Sequence, residues 1–294
     1  DRSLCSVHTP CRGEACLIMD NRQTEIDDKK AGILFSGGID STYAAWTQIP
    51  LFEKIQLITF IKKGLKNPQN VQVGVDQLCK AFPGKEITHI LIDFNDIYQR
   101  VTPNAEKWKI QKGVLEQELT PLWEDAHGKI NGYESYAAKR NNFFFANECL
   151  QCKIAMHIAA IENCRENNIR NLCDGSNAEQ LDDGSQLEDV KKIAIEIFRG
   201  YGVNYYSPVF HVPGEERAKA LLEKGIIDSL DHKILEKTHK IPSRQIQCTV
   251  PASVLWTICI FPWVVYDAKS CEDYVEMSCK YYKGAIEEGL KVVL

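Results

Sequence analysis

The sequence predicts an α/β fold: a Rossmann-like parallel sheet, followed by a helical, cysteine-bearing C-terminal region. Three observations predict it. Apolar runs of strand length alternate with amphipathic runs of helix length across residues 31–224. The first apolar run passes through a glycine-rich turn directly into a helix, as a βαβ unit begins. The chain has 294 residues, 44% hydrophobic and 26% charged, enough to bury a sizeable core and unlike a collagen, a coiled coil or a disordered chain.

The elements follow in order. Ala31-Gly-Ile-Leu-Phe35 is short, apolar and unbroken, as a strand covered on both faces should be. Ile39–Gln48 is the helix after it, Ile55–Ile61 the second strand, Val71–Phe82 the second helix and Ile87–Asp93 the third strand. Residues 104–125 and 133–168 read as mostly helical, with Gly128 and Gly132 marking the break. Asn171–Asp174 is a short fourth strand running into the polar turn Gly175-Ser176-Asn177. Leu187–Phe198 is a helix and Tyr205–Val209 the fifth strand. Pro213-Gly-Glu-Glu-Arg217 opens a helix through Lys224, with proline near its start and acids in its first turn. The chain therefore divides into a cysteine-containing extension (1–30), an α/β domain (31–227) and a C-terminal helical region (228–294) that is a candidate metal-binding segment. No internal repeat or low-complexity tract is visible.

Net charge is −5, so no basic footprint points to nucleic acid, although charge alone does not exclude it. No apolar run reaches the ~18 residues that a membrane helix needs, and the N-terminus lacks the apolar core of a secretory signal. Twelve cysteines in a chain too long to need staples point to a reducing, cytoplasmic compartment with thiols kept for metal or redox chemistry.

The sharpest motif is Phe35-Ser36-Gly37-Gly38-Ile39-Asp40-Ser41-Thr42. Glycines allow close backbone approach, turn amides converge, and the following helix start favours negative charge. Ser36, Ser41 and Thr42 add hydroxyl donors, while Asp40 either holds the loop or holds a magnesium ion. Neither Gly-x4-Gly-Lys-Ser/Thr nor a post-strand Gly-x-Gly-x-x-Gly is present. The motif resembles the PP-loop of N-type ATP pyrophosphatases, in the adenine nucleotide alpha-hydrolase-like superfamily. That resemblance implies a HUP-type domain with ATP and Mg²⁺ as cofactors. It also implies adenylation of a substrate oxygen, pyrophosphate release and displacement of AMP by a nucleophile. It marks Ser36, Gly37, Gly38, Asp40, Ser41 and Thr42 as ATP-binding, and the Thr59–Lys62 backbone, with Phe60, as the segment reading adenine.

Glu148-Cys149-Leu150-Gln151-Cys152-Lys153 precedes a helix over 154–167, and Cys173-Asp174-Gly175-Ser176-Asn177 follows the fourth strand. This order resembles the sulfur-transferring branch of the superfamily, which includes tRNA 2-thiolation enzymes. A thiol at a helix start beside Lys153 should gain thiolate character. Cys149, Cys152, Lys153 and Asp40 are thus the candidate catalytic residues, with the alternative that the two cysteines pack as small hydrophobes. Gly175 and Asn177 are candidate nucleotide contacts, and Asp182 and Asp183 candidate Mg²⁺ ligands, because ligands of open parallel sheets sit beyond the carboxyl ends of the strands. Lys139 and Arg140 are further phosphate candidates; Cys79, Cys164 and Cys173 read as core.

Two looser clusters remain. Cys5, His8, Cys11 and Cys16 form a candidate zinc knot, with a tail of scattered cysteines as the alternative. Cys271 and Cys279, with Cys248 and Cys259, form another, and the end from Cys279 resembles 7-cyano-7-deazaguanine synthases without their tight Cys-x-x-Cys pairs. An iron–sulfur cluster on Cys149 and Cys152 is an open possibility beside zinc. The leading expectation is an ATP-dependent sulfurtransferase acting on a small, purine-like heterocycle, with sulfide or a persulfide protein as sulfur donor and a homodimer as an open assembly. Alternatives are an ammonia-using amide- or nitrile-forming enzyme, a tRNA-thiolating enzyme, and a non-catalytic nucleotide-binding redox sensor.

Overall fold

The computed structural model describes residues 29–65, 67–101, 148–179, 184–227, 245–246 and 271–294. In chain order these form β1 (Lys30–Leu34), α1 (Ile39–Gln48), β2 (Lys54–Ile61), α2 (Val71–Ala81), β3 (Glu86–Asp93) and α3 (Asn95–Val101). They continue with α4 (Glu148–Glu166), β4 (Asn171–Cys173), α5 (Glu188–Gly200), β5 (Asn204–Tyr206), α6 (Gly214–Glu223) and α7 (Cys271–Val293).

The five strands form one all-parallel sheet in the order β3-β2-β1-β4-β5. Successive side chains point to opposite faces, both covered along β1, β2 and β4, while the edge strand β3 has no fully buried residue. Ala31, Ile33, Ile55, Leu57 and Cys173 join one buried cluster with Val75 and Leu78 of α2 and Leu221 of α6. Ile58, Phe60, Leu172 and Tyr205 join the other, with α4, α5 and α7. The result is the predicted α/β fold, with helices on both sides of the sheet. Tyr282, Ile286 and Leu290 place α7 in the same core as α4 and α5.

This strand order fixes where a ligand can sit. The chain winds outward from β1 in one direction through β2 and β3, then in the other through β4 and β5. The loops leaving the carboxyl ends of β1 and β4 therefore diverge and leave a crevice between them. Helices connecting parallel strands run back against the strand direction, so α1 and α4 both begin at this edge.

Several boundaries differ from the sequence expectation. α4 begins at Glu148, so Cys149 and Cys152 lie inside the helix rather than before it. Cys164 and Cys173 are buried as expected, but Cys79 is exposed on α2, whose apolar stripe is filled by Val71, Val75 and Leu78. β5 ends at Tyr206, three residues earlier than the apolar run through Val209 suggests. Cys5, His8, Cys11, Cys16, Lys139, Arg140, Asp182, Asp183, Cys248 and Cys259 lie outside the described residues. No helix among the described residues is long and apolar enough to cross a membrane.

Candidate active site

The Ser36–Thr42 loop joins β1 to α1 at the switch point. Phe35 N–H still pairs with Ile58 O at 2.8 Å, and the turn begins at the next residue. Gly37 has φ 78°, a left-handed conformation that suits glycine. Gly38 is the N-cap of α1 and supplies no side-chain cap, so the amides of the first turn meet no side-chain acceptor there. The hydroxyls organise the loop from within: Ser41 Oγ donates to Gly38 O at 3.1 Å and accepts from Ser36 N–H at 3.2 Å. A glycine-rich turn with uncapped amides at a helix start is a ready anion cradle.

Asp40 would repel that anion if it faced the cradle with its charge uncompensated. Its Oδ1 lies 2.9 Å from Arg217 Nε, and its Oδ2 accepts from Asn177 Nδ2 at 2.9 Å. Burial pushes the Asp40 carboxyl up and Arg217 opposes that shift. Of the two roles left open for Asp40, the geometry favours holding the loop. Arg217, on α6, also meets Glu179 Oε2 at 3.1 Å and donates to Val212 O. Its 2% exposure makes it the central cation of the site. Nothing in the sequence singles it out, because an arginine in a helix four residues after a proline is ordinarily a surface residue.

Gly175, expected to touch nucleotide, has a packing duty. A Cβ there would lie 2.5 Å from Ser41 N and 2.6 Å from the Asp40 carbonyl carbon. The loop after β4 thus rests directly on the backbone of the loop after β1. Asn177 N–H donates to Gln186 Oε1 at 3.3 Å, and Asn177 Oδ1 accepts from Glu179 N–H at 3.1 Å.

Lys153 is tied to the same place. Its ammonium lies 2.7 Å from Asp174 Oδ2 and donates to Ser176 Oγ at 2.7 Å, so Asp174 is its ion-pair partner. Asp174 also accepts from Ser207 Oγ, Tyr205 Oη and Ser176 N–H. Lys153 and these donors hold its buried carboxyl well below the usual range, against the cost of burial. Because Tyr205 spends its proton on Asp174, it accepts from His157 Nε2–H at 3.2 Å, and His157 Nδ1 accepts from Tyr282 at 2.5 Å. Burial pushes His157 well down, so it is neutral. His157 is thus one link in a chain from α7 to Asp174.

Cys149 and Cys152 are both half-buried, and Cys152 packs against the α4–α5–α7 core. Cys149 precedes Lys153 by one helical turn, on the same stripe. The Phe60 ring packs edge-on against Phe94, centroids 5.8 Å apart, so this side chain belongs to the core and only its backbone faces the β2 end. Thr59 is buried too, donating to Phe35 O at 2.6 Å. His89 meets Thr59, and His211 packs on Phe210, so neither is placed in the crevice by these contacts.

The metal expectations divide. Cys271 and Cys279 stand eight residues apart in one continuous helix, about 12 Å along its axis, and Cys279 packs against the core. Among the described residues no three His, Cys, Asp or Glu side chains group as metal ligands. Two thiols do not complete the ligand set of a cluster, and Asp40 and Glu179 are engaged with Arg217.

No family model matches the chain, and no curated protein matches it. Among solved structures it is similar to a 4-thiouridine synthetase in complex with RNA and bound ATP, at 14% identity and TM-score 0.40, covering 88% of this chain and 53% of that one. It is also similar to the U34-tRNA thiolase NcsA from Methanococcus maripaludis with its 4Fe–4S cluster, at 15% identity and TM-score 0.38, covering 90% of this chain and 73% of that one. The chain thus spans about half the length of the synthetase structure.

Proposed function

We propose that the protein is an ATP-dependent sulfurtransferase. The observation that carries this reading is the linkage of the thiol-bearing helix to the phosphate loop. Lys153, one turn after Cys149, is bonded to Asp174 and Ser176, which flank Gly175, and Gly175 abuts Asp40 and Ser41. The thiols and the anion cradle therefore share one edge of the sheet.

In this reaction the loop amides and the hydroxyls of Ser36 and Ser41 bind the phosphates of ATP. The carbonyl oxygen of a heterocyclic base attacks the α-phosphorus and pyrophosphate leaves; hydrosulfide delivered beside Cys149 and Cys152 then adds to the activated carbon, AMP leaves with the oxygen, and loss of the sulfur-bound proton gives the thiocarbonyl. Fixed amides and in-line positioning supply the rate. Arg217 keeps the loop rigid and compensates Asp40. Magnesium arriving with ATP would add charge neutralisation at the phosphates. A cluster or zinc would need ligands beyond Cys149 and Cys152, and no step here is routed through one. The base is either a free purine-like molecule or a base within tRNA, and both arms belong in the test.

The experiment is pyrophosphate release by anaerobically purified protein, with sulfide or ammonia as nucleophile, on free bases and on unmodified tRNA. The reading expects sulfide-dependent release and a thiolated product, lost in Cys149→Ser or Cys152→Ser. Ammonia-dependent release with both serine variants fully active would reject it.

A further inference from the structure

Beside Lys153, itself one helical turn from Cys149, lies a small cavity with room for a single small occupant. Lys153, Ser176, Ser185, Gln186, Lys191 and Phe210 line it. Its chemistry is one-sided. Asp174 already accepts five hydrogen bonds, from Lys153, Ser176 Oγ, Ser176 N–H, Tyr205 and Ser207, so it has nothing left to offer an occupant. Gln186 Oε1 is taken by Asn177 N–H, leaving its amide hydrogens. His157 is committed at both nitrogens.

Lys191 completes the picture. Its ammonium sits 3.5 Å from the Phe210 ring centroid, and no carboxylate among the described residues lies within ion-pair distance. Burial pushes its pKa down, and Asp174 and Glu188 oppose that shift from a distance. On the outer side of α5, Glu188 and Asp189 pair with Lys192 instead. The lining itself holds the two ammonium groups of Lys153 and Lys191 and no carboxylate, while Asp174 and Glu188 act on Lys191 from outside the lining and are bonded to Lys153 and Lys192. The cavity wall is rich in donors and short of acceptors.

We propose that this cavity binds a small monovalent anion between Lys153 Nζ and Lys191 Nζ, and that in the sulfurtransferase reaction the anion is hydrosulfide, held one helical turn from Cys149. The second clause rests on the function proposed above. The proposal concerns binding alone, and no bond is made or broken in the cavity. Hydrosulfide has one heavy atom, accepts hydrogen bonds and carries one negative charge, which suits a single-occupant cavity lined by donors and two ammonium groups.

The test uses bromide as probe. Crystals of the full chain soaked in sodium bromide should show an anomalous peak between the two ammonium groups, retained in Lys191→Arg and absent in Lys191→Met. In solution, bromide should compete with sulfide, and Lys191→Met should raise the KM for sulfide about tenfold, as expected for losing a charge-assisted hydrogen bond, with the KM for ATP unchanged. A wild-type cavity without bromide, or a peak that persists in Lys191→Met, overturns the site even if turnover depends on sulfide. Bromide bound at Lys191 with release indifferent to sulfide overturns hydrosulfide as its ligand, together with the proposed function, and leaves the anion site standing.

Discussion

Arg217 Nε lies 2.9 Å from Asp40 Oδ1, joining the helix after β5 to the first turn of the helix after β1. This pair makes an acidic residue compatible with an anion cradle. Removing Arg217 leaves the partly exposed Asp40 and the half-exposed Glu179 without their shared partner. Arg217→Met should therefore cost about 1–2 kcal/mol, less than a fully buried pair because both carboxylates keep solvent, and should weaken ATP binding at least tenfold. Lysine cannot reproduce the guanidinium fork that reaches Asp40, Glu179 and Val212 O together, so Arg217→Lys should fall between wild type and Arg217→Met. Urea unfolding and ATP titration calorimetry measure both, and wild-type ATP affinity in Arg217→Met would refute the role.

Gly175 gives a second prediction, this time steric. A methyl group there meets backbone atoms of Asp40 and Ser41 at 2.5–2.8 Å, and a helix start cannot rotate aside as a side chain can. Gly175→Ala should cost about 1–3 kcal/mol by overpacking and should raise the KM for ATP. Gly284, on α7, is the control: nothing lies within 4 Å of its Cβ position, so Gly284→Ala should leave ATP binding untouched and gain up to about 1 kcal/mol in stability. Equal ATP affinity in the two variants would dismiss the contact.

These two residues also show where the sequence was readable. The phosphate loop was legible because its cues are local: an apolar strand, two glycines, hydroxyls and a helix within eight residues. The alternation of strands and helices was legible for the same reason, and α1 has the predicted bounds, Ile39–Gln48. Arg217 was not legible, since its meaning comes from Asp40 and Glu179 on distant segments. Lys153 was named for a local reason, its adjacency to Cys152, yet its partner is Asp174 across the crevice. The start of α4 was misplaced because Cys-x-x-Cys-Lys was read as a motif standing before the helix, although Asn147, a residue type that opens helices, precedes Glu148 in the sequence. Gly175 was named as a nucleotide contact; its observed contact is with the loop backbone.

The cysteines should separate by reactivity. Cys79 is exposed, whereas Cys164 and Cys173 are each 1% exposed. Burial pushes the Cys164 thiol up to about 12, which leaves almost no thiolate at neutral pH. Iodoacetamide on native protein should therefore modify Cys79 within minutes and leave Cys164 and Cys173 unmodified until the chain unfolds, as peptide mass mapping will read. Cys79→Ser should leave sulfide-dependent pyrophosphate release unchanged, since α2 places it on the surface. Early labelling of Cys164 in the folded protein would contradict the packing of α4.

The buried chain from Tyr282 through His157 and Tyr205 to Asp174 sets a pH dependence with a definite sign. His157 is neutral in the fold because burial lowers its pKa from the ordinary 6.5, whereas the unfolded chain takes up a proton below that pH. Its contribution is fully present above pH 6.5 and is lost as pH falls, at about 1.4 kcal/mol per unit until the folded group also titrates. Asp174 is shifted in the direction usual for a paired acid. Held below its ordinary 3.8, it stabilises the fold above that pH, and its contribution is lost as pH falls further. Stability should therefore decline in two stages, beginning near pH 6.5 and steepening below about pH 4. In His157→Gln the first stage should flatten, because glutamine does not titrate yet can still hydrogen-bond one of the two tyrosines. Urea midpoints from pH 8 to pH 3.5 read both stages. An unchanged slope between pH 6.5 and 4.5 in His157→Gln would assign the acid sensitivity to another group and leave His157 a packing residue.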